Sequence, residues 1–233
     1  MREKIGIIGL GDLGKRLATQ VASSGLDVIA FDKRSIELLG AELAIDPMLN
    51  VEQTDWNKIE IVGSPDEVIR RSPVIHWAVQ SSLLHELPSE LPDDTLVILH
   101  DSVMSNSEIA VAERDDASKF CIVHCLVNSR RRVFIAGDNK RAIEHFRAIG
   151  LEPKVTTVRE HDKLLAHSQG LLATLVEMGV RSELERAFFD GDLTPSGEEL
   201  HALLEHRELN WTASTLRSIL KNPELRDLKS KIR

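Results

Sequence analysis

Cysteine is scarce in this chain of 233 residues: there are two, Cys121 and Cys125, four apart in an apolar run. Two thiols build no disulfide framework, so the chain reads as a protein of a reducing compartment, the cytoplasm. Long apolar runs are missing too. The N-terminal "KIGIIGLG" is far too short to span a bilayer and is broken by glycines, and no signal peptide is read there, so no membrane association is expected. Positive charge is not in excess. The net charge of −8 argues against a general nucleic-acid binder. An anionic substrate would need basic residues gathered locally. Nothing repeats at a fixed period, and no segment is of low complexity, which excludes solenoids and arrays. Tyrosine is absent altogether, and no functional reading follows from that.

What is present is ordinary globular material, 42% hydrophobic and 28% charged, enough for one large domain or two small ones. Cys121, His124 and Cys125 hint at a metal, but the segment reads as a strand. Cys121 and Cys125 then share one face and His124 points to the other, so no metal site is expected.

The first two-thirds alternates β-rich runs with amphipathic stretches. "KIGIIG", "LDVIAFD", "IEIVG", "VIHWAV", "TLVILHD", "KFCIVHCLV" and "RRVFIAG" read as strands. Several are near-continuous apolar runs, as parallel strands covered on both faces require. "DLGKRLATQVASSG", "SPDEVIRR" and "DNKRAIEHFRAIG" read as helices. After "EPKVTTV" the rhythm changes and no strand is read. One long helix is expected from Val158 towards Phe189. A loop follows, with Ser196 and Glu199 at capping-box spacing for a last helix that Pro223 stops. The reading is α/β: a doubly wound sheet over residues 1–155, then a small all-helical C-terminal domain over 156–233.

"IGIIGLGDLGKRLA" holds G-x-G-x-x-G at Gly9, Gly11 and Gly14, after a strand and opening a helix. Asp32 ends the next strand, eighteen residues after Gly14. This is the dinucleotide-binding context of a Rossmann-type sheet. Gly9 allows a tight turn, Gly11 lets the backbone approach a pyrophosphate, and Gly14 allows close helix–sheet packing. With Asp12 and Leu13 they form the cofactor loop, and the helix N-terminus meets the phosphate charge. Asp32 should hold ribose hydroxyls, which favours NAD. Lys33 and Arg34 follow at once and can accept a 2′-phosphate, which leaves NADP open.

"EHDKLLAHSQGL" resembles the "EHD…A…QGL" helix of the prephenate and arogenate dehydrogenase family. The likeness recurs in order along most of the chain. "DSVMS" resembles the "SVK" segment, "IVHCLVN" the "HPM" segment, and "TLRSILKNPEL" the late "R-I-A-x-x-D-P" segment. The resemblance implies a Rossmann domain joined to a helical domain that also dimerises. It implies oxidation of a cyclohexadienyl substrate on the way to tyrosine. It puts Ser102 at the active-site serine and His124 at the catalytic histidine. The chain departs from the family where Cys125 replaces proline, Met104 replaces lysine, and Ala173 replaces a second histidine.

Hydride transfer from a carbinol carbon requires the hydroxyl proton to be drawn away, and a neutral imidazole does that near pH 7. His124 sits at the end of a sheet strand, where doubly wound folds place ligands. Ser102 follows another strand end and is positioned to orient the imidazole or the hydroxyl. Arg217 is the candidate clamp for a substrate carboxylate. Arg130, Arg131 and Arg132 form a basic run just past His124. On the "EHD" helix, His161, Leu165, Ser168 and Leu172 lie near one face, and Asp162 and Gln169 share a neighbouring stripe. The early polar residues are expected to line a cleft, with Ser168 and Gln169 contacting substrate, and the later leucines to build core. The apolar stripes with Leu171, Leu175 and Met178 are expected to form a homodimer through the C-terminal helices. A reductase or dehydrogenase of another small hydroxy acid or imine fits the same scaffold. So does a dinucleotide-binding protein without catalysis.

Overall fold

The computed structural model of the chain describes residues 4–34, 56–126, 132–170, 173–174 and 213–231. Two compact units divide it, residues 1–158 and 159–233.

The first unit is α/β. Its strands are β1 (Lys4–Ile8), β2 (Asp27–Phe31), β3 (Ile59–Ile61), β4 (Val74–Trp77), β5 (Leu96–His100), β6 (Phe120–Leu126), β7 (Arg132–Ala136) and β8 (Glu152–Thr156). They form one sheet in the order β3-β2-β1-β4-β5-β6-β7-β8. Helices α1 (Asp12–Ser23), α2 (Pro65–Arg71), α3 (Met104–Ala112) and α4 (Lys140–Ala148) cover it. Alternation along each strand divides the core. Ile5, Ile7, Ile98 and Val123 pack with Leu17 and Val21 of α1 and Phe146 of α4. Ile8, Ile75, Trp77 and Leu99 pack with Val68 and Ile69 of α2, and Val111 of α3 joins them. Each such side chain contributes about 1.5–3 kcal/mol by leaving water.

All neighbouring strands are parallel except one pair: β6 and β7 run antiparallel, with His124 opposite Phe134. Only five residues separate Leu126 from Arg132. A parallel crossover needs a dozen or more, so the chain can only turn back. β8 then pairs parallel with β7. "EPKVTTV", where the sequence shows no strand pattern, supplies this edge strand.

In the second unit α5 (Val158–Leu165) runs into a π-helical turn, Ala166–Gly170; α6 (Ala213–Leu220) and α7 (Pro223–Lys231) follow. Pro223 does more than stop a helix: it opens α7, where its missing N–H costs nothing. The buried Asn222 caps it, accepting the Glu224 N–H at 2.9 Å and donating to the Asp162 carbonyl at 2.9 Å. Gly170 lies against α7: a Cβ there would sit 2.7 Å from a methyl of Leu225. Ser196, Glu199 and most of the expected long helix lie outside the described residues, as do Arg130, Arg131, Leu171, Leu172, Leu175 and Met178. Among the described residues no helix is long and apolar enough to cross a membrane.

Candidate functional site

The strand order reverses between β1 and β4. From β1 the chain winds outward through β2 and β3, then returns to β4 on the other side. Doubly wound sheets open a crevice at such a point, at the carboxyl ends of the strands. Gly9 and Ala78 stand there, and the Ala78 N–H donates to the Ile8 carbonyl at 2.8 Å.

The three loop glycines differ in what forces them. Gly9 has φ +94° and its added Cβ would meet a Val79 methyl at 2.4 Å. A Cβ on Gly14 would lie 1.8 Å from the Gly9 carbonyl oxygen. Gly11 is exposed, and an added Cβ would meet nothing within 4 Å. No contact among the described residues explains that glycine, and the open space over the loop is room for a ligand. Gly11 also caps α1 and offers no side chain to the first-turn amides. Those N–H groups carry the positive end of a twelve-residue helix. Asp12 is exposed beside them and Leu13 is half-buried. The loop fits a pyrophosphate.

Asp32 closes the crevice on the β2 side. Its carboxylate accepts the Leu10 N–H at 2.7 Å and the Arg34 N–H at 2.9 Å. The Arg34 guanidinium pairs with it at 2.9 Å and reaches the Leu10 carbonyl. Burial pushes the Asp32 carboxyl up, but Arg34 and the two amides outweigh that and hold it below its ordinary value. With a second guanidinium contact at 3.2 Å, the two amides and Arg34 fill about four acceptor sites on its two oxygens, so a ribose hydroxyl would bind here by taking the place of an Arg34 contact. Lys33 is exposed and pairs with Glu86 at 3.0 Å. Both basic residues near a 2′-phosphate position thus already have carboxylate partners.

Ser102 and His124 belong to adjacent strand ends. The Asp101 N–H, just past β5, donates to the Val123 carbonyl at 3.0 Å, and His124 follows Val123. On β6 Cys121 and Val123 face the α1/α4 layer, with Cys125 packed against it, while Ile122 packs on the α2/α3 layer. Alternation puts His124 with Ile122. Both Ser102 and His124 are half-buried. Ser102 lies in the turn leading into α3, whose first residue, Met104, is fully buried. Where the resembling family carries lysine, this chain therefore places no cation.

Asp101 escaped the sequence reading. Its carboxylate accepts the Ser81 hydroxyl at 2.8 Å, the Val103 N–H at 3.2 Å and the Ser107 hydroxyl at 3.3 Å. An acidic residue directly after the apolar "LVILH" was the available signal.

The remaining candidates lie in the second unit. Ser168 is exposed and its hydroxyl donates to the Leu164 carbonyl at 2.9 Å. Gln169 is half-buried in the π-helical turn, a feature often found at functional positions. Arg217 is exposed in the last turn of α6. His161 and Asp162 are buried, with the imidazole Nδ1 3.1 Å from the carboxylate. Ala173 is buried as well.

No family model matches the sequence, and a search of curated proteins finds no match. Solved structures do match. A candidate prephenate dehydrogenase from Corynebacterium glutamicum superposes with a TM-score of 0.73 at 16% identity, over 98% of this chain and 77% of that one. Prephenate dehydrogenase from A. aeolicus, solved with hydroxyphenyl propionate and NAD+, gives 0.60 at 15% identity, over 99% and 86%. (S)-3-hydroxybutyryl-CoA dehydrogenase from Ralstonia eutropha gives 0.57 at 13% identity, over 99% and 94%. Of two further dehydrogenase structures the chain spans 46% of the length. The likeness establishes a Rossmann-type fold.

Proposed function

We propose that this chain is an NAD-dependent oxidoreductase whose substrate is a small anionic hydroxy acid of the prephenate type. The observation that carries the cofactor reading is the loop, where Gly11 is open above bare helix amides while Gly9 and Gly14 are packed shut. The Asp32 carboxylate and the engagement of Arg34 favour NAD over NADP. Among the neighbouring folds, the A. aeolicus enzyme was solved with NAD+. The first unit is the dinucleotide-binding domain in this reading. The second is the substrate and dimerisation domain.

Bound at this loop, nicotinamide supplies the hydride acceptor. His124 draws the substrate hydroxyl proton as the hydride leaves, and returns it as loss of the ring carboxylate as carbon dioxide makes the ring a phenol. Ser102 orients that exchange. Arg217 holds a remaining carboxylate, with Ser168 and Gln169 as further polar contacts.

Prephenate and arogenate are offered with NAD or NADP from pH 6 to 9, following the reduced nicotinamide. Turnover of either supports the assignment. Failure of both, with dinucleotide binding intact, removes the prephenate reading. The buried Met104 favours the second reading in that event, another small hydroxy acid on the same scaffold. Replacing His124 with Asn should cut turnover by about 10²–10⁴ and leave cofactor affinity unchanged. Replacing Arg217 with Ala should mainly raise KM, because a carboxylate clamp binds ground state and transition state alike.

A further inference from the structure

Three histidines on the α1/α4 side of the sheet form a buried hydrogen-bonded chain. His76 in the middle of the sheet is fully buried; its Nδ1 lies 2.8 Å from Nε2 of His100, the last residue of β5. Its Nε2 lies 2.8 Å from Nε2 of His145 on α4. His100 and His145 are each 9% exposed. Phe146 sits edge-on to all three rings. The chain therefore ties β4, β5 and α4 together through side chains far apart in sequence.

Counting protons shows what the chain tolerates. Three neutral rings carry three protons. Each of the two N···N bonds needs one, and the third sits on a terminal nitrogen. Nδ1 of His100 is buried with no partner, whereas Nδ1 of His145 is not so orphaned. A buried N–H without an acceptor is the costlier arrangement, so the third proton belongs at His145. Donation then runs from His100 to His76 to His145. A fourth proton must either sit on the partnerless Nδ1 of His100 or enter a bond that already holds one.

We propose that this histidine chain is an acid-released latch: it fastens α4 to β4 and β5 while neutral, and proton uptake opens it and with it the first unit. The groups around it reinforce the neutral form. Burial and then His145 and His100 push His76 well below its ordinary value. Burial, with His124 from β6 and His145, pushes His100 down to about 3. Burial, with Arg141 of α4, pushes His145 down to about 4. Cys121, on the same face of β6, is pushed up to about 12 by burial and stays neutral. In the unfolded chain each histidine titrates near 6.5. The latch is thus intact above that value, and its stabilisation is lost as pH falls below it.

Denaturant unfolding of the full chain at closely spaced pH values between 7.5 and 5.0 tests this. Three protons taken up on unfolding give an unfolding constant that rises up to about a thousandfold per pH unit below 6.5. His100→Gln and His145→Gln keep a neutral polar group at the bonded position and remove the titration. Each should cut that dependence by about tenfold per unit, and the pair of substitutions by about a hundredfold. His85→Gln, at an exposed histidine, should leave it unchanged. If a substituted chain fails to fold, ring NMR of the parent decides: the three rings must stay neutral in the folded protein down to its acid transition. A parent slope below tenfold per unit, slopes unmoved by the Gln substitutions, or rings that titrate near 6.5 while folded would each overturn the latch.

Discussion

Gly11 and Gly14 are three positions apart and ask for glycine on opposite grounds. A methyl on Gly14 collides with the backbone of Gly9, so Gly14→Ala should disturb the loop itself. A side chain on Gly11 meets only open space. Gly11→Val is therefore expected to cost no more than about 1 kcal/mol, the preference of the cap position for glycine over valine, while abolishing dinucleotide binding. Thermal unfolding and a titration with NAD, run side by side, check both halves. Binding as tight as the parent's would remove the loop from the cofactor site. Asp32→Ala should weaken NAD by about 1.5–3 kcal/mol through loss of a charge-assisted hydrogen bond. The glycine loop was legible because all its determinants lie within one stretch of chain. Asp101 was less so: its role comes from Ser81 and Ser107, which only the fold brings to it. The three latch histidines were illegible as a set, since positions 76, 100 and 145 meet only across strands and a helix.

Among elements, α7 depends most on a single side chain. Asn222 both caps it and ties it to α5 through the Asp162 carbonyl. Asn222→Ala removes a cap, worth about 1 kcal/mol, and leaves a buried carbonyl without its donor, about 1–3 kcal/mol more. The denaturant midpoint of the second unit should fall accordingly, and an unchanged midpoint would mean that the cap is idle. The elements that escaped the sequence have physical reasons. In α3 only Met104 and Ser107 are buried, so its apolar residues trace no stripe. β8 carries proline and lysine and is largely exposed, so it shows no apolar run. The central strands were plain because both their faces are covered.

At the scale of the whole molecule, the sheet reverses once, and that reversal follows from the five residues between β6 and β7. Strand periodicity cannot show direction, which is why the turn was not read. The buried histidines make stability a matter of pH. One unit below 6.5, three neutralised rings cost about 4 kcal/mol, a large share of the 5–15 kcal/mol that typically holds a domain together. For the second unit we expect a homodimer through the C-terminal helices, because a unit of about 75 residues buries little core alone. Sedimentation at micromolar concentration should show twice the chain mass, and a monomer would count against it.

β8 bears on how such copies can meet. Among the described strands it is an edge, and edges invite strands from other molecules. Pro153 has no N–H to offer an incoming strand, and Lys154 extends its ammonium over the Phe134 ring of β7, 5.4 Å from its centre. A visiting chain would find a gap in the donor row beside a charge it must desolvate. This margin therefore resists edge-to-edge aggregation, and a crowded solution of the folded protein keeps its sheets apart there.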